Sequence, residues 1–383
     1  MSAAAPAPQS APSPEALAHS ARVAAAVRAE IAGAGGWIPF ARYMDLVLHA
    51  PGLGYYASGS AKFGPAGDFV TAPELSPLFA RTLARGLAPL VAGGLEDIVE
   101  FGAGTGALAA TLLAELARLG TPARRYLIVE TSAELAARQR ERLAGVAATA
   151  VEWLDALPVS FSGLVIGNEV LDAMPVHAIR TRADGIDELG VACAGDGFEW
   201  QPRPAGGELL AAARALALPA GYTTEIGLAA RAFVATLGTW LARGAALFID
   251  YGFPAREYYH PQRHMGTLRC HWRHRSHDDP FFLPGLQDVT AHVDFSAIAA
   301  AARDAGLSVL GYTAQAQFLV NCGITRVLGE TPPDDARAYL PLAAGAQKLL
   351  APSEMGELFK VLAVGRDSPP LDGFAAGDRR PTL

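Results

Sequence analysis

From Leu95 onward, short apolar runs alternate with longer segments whose apolar residues recur every three or four positions. That rhythm predicts strands alternating with amphipathic helices. Asp97 to Phe101 reads as a strand, and Ala107 to Leu119 as a helix ended by Gly120. Tyr126 to Val129 is a second strand. Thr131-Ser132-Ala133-Glu134 then forms a capping box that opens a helix through Ala144. Val151 to Leu154 and Leu164 to Ile166 are further strands. Polar–apolar alternation across Val176 to Gln201, with turn signals at Asp184-Gly185 and Asp196-Gly197, predicts an inserted antiparallel meander. A helix from Gly227 to Arg243 leads to a buried strand, Ala245 to Ile249. Asp294 caps a helix to Ala305, and Leu307 to Gly311 and Phe359 to Val364 are the last strands. The fold class this implies is α/β, a doubly wound and mainly parallel sheet.

The remaining chain divides around that core. Residues 1–14 are rich in Ala, Pro and Ser and are expected to be a disordered tail. Residues 15–94 read as a helical region, interrupted by a Gly/Pro/Tyr-rich stretch from Pro51 to Pro77. Loops of that length are often functional. The core spans 95–365, with insertions at 176–201 and 253–287, and 366–383 form a C-terminal tail.

Composition narrows the class. Of 383 residues, 51% are hydrophobic and 18% charged, enough for a large core and too apolar for global disorder. The longest apolar stretch, Gly86 to Leu95, is broken by Pro89, Gly93 and Gly94, so no membrane insertion is expected. A net charge of −7 argues against a general nucleic-acid binder. The three cysteines form no C-x-x-C pair, which points to a reducing compartment. Residues 1–14 lack a basic start and an apolar run, and the first arginine is Arg22. A cytoplasmic location follows as the expectation.

The strongest local signal is Glu100-x-Gly102-x-Gly104-x-Gly106, where the first core strand turns into a helix. Glycines there let backbone approach a ligand, and the helix directs free N–H groups at it. Gly102-x-Gly104-x-x-Ala107 also satisfies the dinucleotide pattern. Without a Gly-Lys-Ser/Thr ending, a phosphate-cradling P-loop is excluded. Glu100, two residues before the first glycine, and the third glycine, Gly106, resemble the E-x-G-x-G-x-G pattern of class I methyltransferases, which favours S-adenosylmethionine over a dinucleotide. Glu130 closes the next strand, where a carboxylate can accept both ribose hydroxyl hydrogens. That position suits NAD as well, and a solvated strand-end acid is the plain alternative. Asp155, after the third strand, is placed to reach an adenine amino group.

Asn168-Glu169-x-x-Asp172-x-x-Pro175 follows the fourth strand, at the edge that borders the ligand crevice of a doubly wound sheet. Two carboxylates three residues apart on a turn of helix suit a planar guanidinium. The alternative is helix capping by Asn168 or Glu169, with Asp172 solvated. His260, His264, His271, His274 and His277 crowd around Cys270, but Arg263, Arg269, Arg273 and Arg275 are interleaved. That much positive charge disfavours a metal, and none is expected.

Taken together, these blocks resemble the MidA-like methyltransferases. Gly54-Tyr55-Tyr56 and the run from Phe63-Gly64 through Gly67-Asp68-Phe69, Thr71, Pro73-Glu74 and Ser76 are similar to that family's N-terminal signature. Asn168-Glu169-x-x-Asp172-Ala173-Met174-Pro175 resembles its N-E-x-x-D-A-L-P. Asp250-Tyr251-Gly252, Gly266-Thr267-Leu268-Arg269, Asp288 to Phe295 and Phe359 to Leu362 match later blocks in order. Ala103 and Thr105 stand where many members carry Pro and Arg. The resemblance implies a Rossmann-like class I methyltransferase with S-adenosylmethionine as cofactor. It implies cofactor contacts from Glu100, Gly102, Ala103, Gly104, Gly106, Glu130, Asp155 and Asn168, under a covering loop with Asp68, Thr71, Glu74 and Ser76. Glu169, Asp172 and Asp250 become the catalytic acids, and Tyr55 and Tyr251 face the substrate. Eukaryotic relatives methylate an arginine in a peripheral-arm subunit of respiratory complex I, so a protein arginine is the implied acceptor. A non-catalytic cofactor-binding assembly factor, a small-molecule methyltransferase and a nicotinamide-dependent dehydrogenase are the competing readings.

Overall fold

Strands that carry apolar residues at every position need cover on both faces, and the chain supplies it. A computed structural model describes residues 12–57, 70–146, 148–273 and 275–383. Seven strands make the central sheet: β1 (Asp97–Phe101), β2 (Arg125–Val129), β3 (Ala150–Trp153), β4 (Phe161–Asn168), β5 (Leu241–Phe253), β6 (Ser308–Ala314) and β7 (Phe359–Arg366). Their spatial order is β3-β2-β1-β4-β5-β7-β6. All run parallel except β7, which is antiparallel to both neighbours. A short strand, Val293–Asp294, extends the sheet beside the end of β5.

Because successive side chains alternate faces, each strand feeds two cores. Ile98, Ile166, Leu247 and Val361 pack with helices Pro77–Ala92 and Ala107–Arg118. Val99, Val165, Phe248 and Leu362 pack with helices Leu228–Trp240 and Phe295–Asp304. Truncating any of these fully buried side chains to Ala costs about 2–5 kcal/mol.

Helices Pro14–Gly33 and Phe40–His49 belong to a third core with an antiparallel sheet. Its strands are Ile38–Pro39, His177–Thr181, Ile186–Ala194, Gly197–Pro204 and Thr223–Ile226. The meander insertion is therefore longer than 176–201, because Thr223–Ile226 returns to pair with His177–Thr181. The second insertion forms a three-stranded sheet from Arg269–Trp272, Arg275–His277 and Asp288–Thr290.

Several boundaries differ from the sequence reading. The first helix starts at Pro14, the last residue of the expected tail, because Ser13 accepts the Ala16 N–H as its N-cap. The helix expected to reach Arg243 stops at Trp240, since buried Leu241 already pairs with Phe161 of β4. The tail after Arg366 is docked: Leu371 and Phe374 are buried, and Phe374 lies where a Cβ on Gly311 would stand. Helices Gln315–Asn321, Ile324–Leu328 and Ala336–Leu350, between β6 and β7, had no sequence expectation. Among the described residues no helix is long and apolar enough to cross a membrane.

Candidate active site

The chain lays β1, β2 and β3 to one side, then crosses to β4 and β5 on the other. The carboxyl ends of β1 and β4 therefore border a crevice at the switch point, and a cavity of about 340 Å3 lies there. One wall is the turn after β1. Gly102, Gly104 and Gly106 all have left-handed backbone, with φ of 64°, 53° and 80°, which strongly favours glycine. Gly104 lines the cavity, and a Cβ there would meet open space rather than protein. Gly106 does not line it; it stands at the N-cap of helix Ala107–Arg118.

Two acids of this wall, Glu100 and Glu130, are held by neutral donors. Glu100 accepts the Tyr126 hydroxyl at 2.8 Å, and burial pushes its pKa up to about 7. Glu130 accepts the Ser132 N–H at 2.8 Å and the Gln139 amide at 2.9 Å; burial raises its pKa and these bonds oppose the rise. From the covering loop, Thr71 and Glu74 line the cavity. Glu74 accepts from the Thr105 hydroxyl and from Arg142, tying the loop to the glycine turn. Ser76 instead caps helix Pro77–Ala92, and Asp68 lies outside the described residues.

The other end of the cavity is set by sheet register. Asn168 of β4 pairs with Ile249 of β5, and the Glu169 N–H extends the ladder to the Ile249 carbonyl at 2.8 Å. That places Glu169 beside Asp250, the residue after Ile249. Glu169 has φ 53°, and the segment after it is a turn with no helix. The expected helical turn and the helix-capping alternative both fail on this backbone. Glu169 accepts from the Asn168 amide at 3.1 Å and from the Tyr251 hydroxyl at 3.4 Å. Burial, then the charge of Asp172, push Glu169 up to about 8. Burial pushes Asp172 up to about 6. Asp250 is fully buried beneath the cavity and accepts the Asp172 N–H at 3.3 Å. Burial and the charge of Asp172 hold its pKa well above the usual carboxylate range. Asp172 Oδ1, Asp250 Oδ2 and Asn168 Oδ1 are buried with no hydrogen-bond partner.

A fourth acid, Asp288, joins them and accepts the Tyr56 hydroxyl at 2.7 Å. Tyr56 stacks on His49 at 5.5 Å, and His49 hydrogen-bonds the Ala173 carbonyl at 3.1 Å. Among the described residues lining the cavity there is no lysine or arginine.

The structure thus brings together Thr71, Glu74, Glu100, Gly102, Ala103, Gly104, Glu130, Asn168, Glu169, Asp172 and Tyr251. Besides Gly106, Ser76 and the buried Asp250, which do not line the cavity, two more predicted residues stand away from it. Tyr55 is buried in the N-terminal core, edge-on to Tyr56, so the neighbouring tyrosine is the one that reaches the cavity. Asp155 is exposed and does not line the cavity. The sequence reading assigned no role to His49, Asp288 or Gln139, gave Tyr56 a pocket role only under the small-molecule alternative, and met His271 only in the histidine cluster. Asp288 and Thr290 had a signal, since a strand period of two puts both on one face and both line the cavity. Of the histidine cluster, His271 lines the cavity while Cys270 is buried in the N-terminal core, and His274 lies outside the described residues. Among the described residues no three His, Cys, Asp or Glu side chains are grouped to hold a metal.

Residues 86–313 match the model of the family described as "Putative S-adenosyl-L-methionine-dependent methyltransferase". The chain belongs to this family. The methyltransferase is 56% identical to a Burkholderia thailandensis protein whose crystal structure holds S-adenosyl-homocysteine. That match covers 98% of this chain and 100% of the other, with a TM-score of 0.94. It is also 30% identical over 373 residues to the mitochondrial protein arginine methyltransferase NDUFAF7 of Mus musculus, covering 86% of this chain and 81% of the relative. The Danio rerio protein of the same name is 29% identical over 369 residues, covering 86% and 84%. The fold is therefore that of class I methyltransferases, and S-adenosylmethionine is the cofactor. The wall after β1 fits it. The open face at Gly104 admits close backbone approach, and Glu130 retains lone pairs for a ribose diol.

Proposed function

We propose that this methyltransferase transfers its methyl group to the guanidinium nitrogen of a protein arginine. One observation carries the reading: four acids, Glu169, Asp172, Asp250 and Asp288, converge at one end of the cavity, and no lysine or arginine among the described residues lines it. Buried carboxylates that raise one another's pKa favour an incoming cation. A guanidinium is always charged and offers five donors in a plane. It supplies donors for Asp172 Oδ1 and for Glu169, and its charge draws their pKa values down.

The bound cofactor supplies an electrophilic methyl group on a sulfonium. The glycine turn and Glu130 would hold it, with Thr71 and Glu74 on the adjoining wall. Glu169 and Asp172 orient the guanidinium, and Tyr251 and Tyr56 wall it. As the nitrogen–carbon bond forms and the sulfur–carbon bond breaks, the nitrogen gives up a proton. Asp172 and Asp250, which titrate together as a pair, are the acceptor. The NDUFAF7 likeness supports a protein substrate, and the family resemblance makes a peripheral-arm subunit of complex I the candidate, in the cytoplasm. The test is incubation of the purified protein with isotopically labelled S-adenosylmethionine and complex I subunits, followed by peptide mass spectrometry. A labelled methyl on an arginine is expected. Label on another residue type, or no transfer to protein despite bound cofactor, would overturn the reading.

A further inference from the structure

We propose that Gln139 is a positioning residue for the cofactor, whose amide holds the Glu130 carboxylate and the Gly104 carbonyl in the geometry that receives the ribose. Gln139 lies on helix Ala133–Leu143, is fully buried and does not line the cavity. Any effect on the ligand must therefore pass through its partners. Its Nε2 donates to the Gly104 carbonyl at 2.8 Å and to Glu130 Oε2 at 2.9 Å. Its Oε1 accepts the Trp153 indole N–H at 2.8 Å. The amide has one workable orientation, because an indole only donates and an ionised carboxylate only accepts. One side chain thus ties together the turn after β1, the end of β2 and the end of β3.

A fully buried glutamine persists only when its polar atoms are satisfied. These three bonds satisfy it, and two of them, to Gly104 and Glu130, end on the cofactor wall. Burial works against an ionised Glu130, and the Ser132 N–H, the Gln139 amide and the Thr131 N–H offset it. Glu130 Oε1 is served by local backbone, two residues on. Oε2 accepts from the Gln139 amide, nine residues on. Without that donor Oε2 is free to turn, and the Gly104 carbonyl loses its tether.

The experiment rests on the cofactor assignment, and binding of S-adenosylhomocysteine by the wild type is the control that fails separately if that assignment is wrong. Titration calorimetry is run on wild type, Gln139→Met, Glu130→Gln and the double variant. The ligands are S-adenosylhomocysteine and an analogue lacking both ribose hydroxyls. Gln139→Met keeps the length and apolar packing while removing both donors. It is expected to weaken S-adenosylhomocysteine by about tenfold, the loss of one hydrogen bond to a charged group, and to leave analogue binding within about threefold of wild type. The double variant should bind no more than about threefold weaker than Glu130→Gln alone, because the two residues act as a unit. Equal losses for both ligands, or fully multiplicative losses in the double variant, would mean that Gln139 only packs the helix. Gln139→Glu gives an independent arm should the methionine variant fold poorly. It keeps an acceptor for Trp153 but places an acid beside Glu130, so affinity for S-adenosylhomocysteine should fall as pH rises and the new carboxyl ionises. Wild-type affinity at every pH would sink the proposal.

Discussion

The two ends of one cavity are built on different electrostatic plans. At the glycine turn Glu100 and Glu130 are matched with neutral donors: Tyr126 serves Glu100, and Ser132 with Gln139 serves Glu130. At the carboxyl end of β4 the acids face one another, and three buried oxygens, on Asn168, Asp172 and Asp250, have no partner. The first end is complete without its ligand and needs only to receive hydroxyl hydrogens. The second is frustrated until a cation arrives. A site of the first kind yields affinity, while the second reserves its interactions for a charged acceptor and for the proton that acceptor sheds.

Breaking the acceptor end should have the largest effect. Glu169→Gln and Asp172→Asn are expected to lower turnover by ~10²–10⁴, the usual cost of a lost positioned base. S-adenosylhomocysteine affinity should stay near wild type. Parallel measurement of methylation rate and cofactor titration checks the split, and equal losses in both would erase the distinction between the ends. At the other end, Gly104→Val puts a branched side chain into open cavity on a backbone with φ 53°. An affinity loss of about 100-fold, ~2.7 kcal/mol, is expected with the fold retained. Undiminished affinity in a folded variant would place the ligand elsewhere. Glu130→Ala should cost about tenfold in the same titration, through the lost ribose hydrogen bonds.

The smallest effect is on stability and it tests the frustration directly. Glu169, with a pKa of about 8 in the ligand-free fold against an ordinary value of 4.5, binds more protons folded than unfolded between those values. Its contribution is therefore full below about pH 4.5 and is lost as pH rises through about 8. The ligand-free Tm should fall between pH 6 and pH 8, and Glu169→Gln should flatten that fall. A Glu169→Gln profile parallel to wild type would show that the acid is not strained by its neighbours.

How far the sequence reads the molecule follows the same division. The strand–turn–helix at Glu100 to Gly106 and the acid at Glu130 are local features. Periodicity places the strands, glycine spacing marks the turn, and each acid falls at a strand end within a few residues of its motif. The pairing at the acceptor end is not local. Asp172 and Asp250 are 78 positions apart, and they meet because β4 and β5 pair in one register, Asn168 against Ile249. Tyr56 and Asp288 meet across 232 positions, when the N-terminal helices and the three-stranded sheet close on the same turn. Adjacent tyrosines look alike in sequence, and only packing decided that Tyr55 enters the core while Tyr56 enters the cavity. Gln139 reads as one more polar residue on a charged helix. It stands between Arg138 and Arg140, and neither neighbour hints that its face is sealed against the glycine turn. The sequence by itself determined the α/β alternation, the glycine turn and the acids that border it, because backbone propensity and strand period act over a few residues. Tertiary structure alone decided which acids lie against each other and which are kept from water, because burial and charge–charge distance are properties of surfaces brought together by the fold.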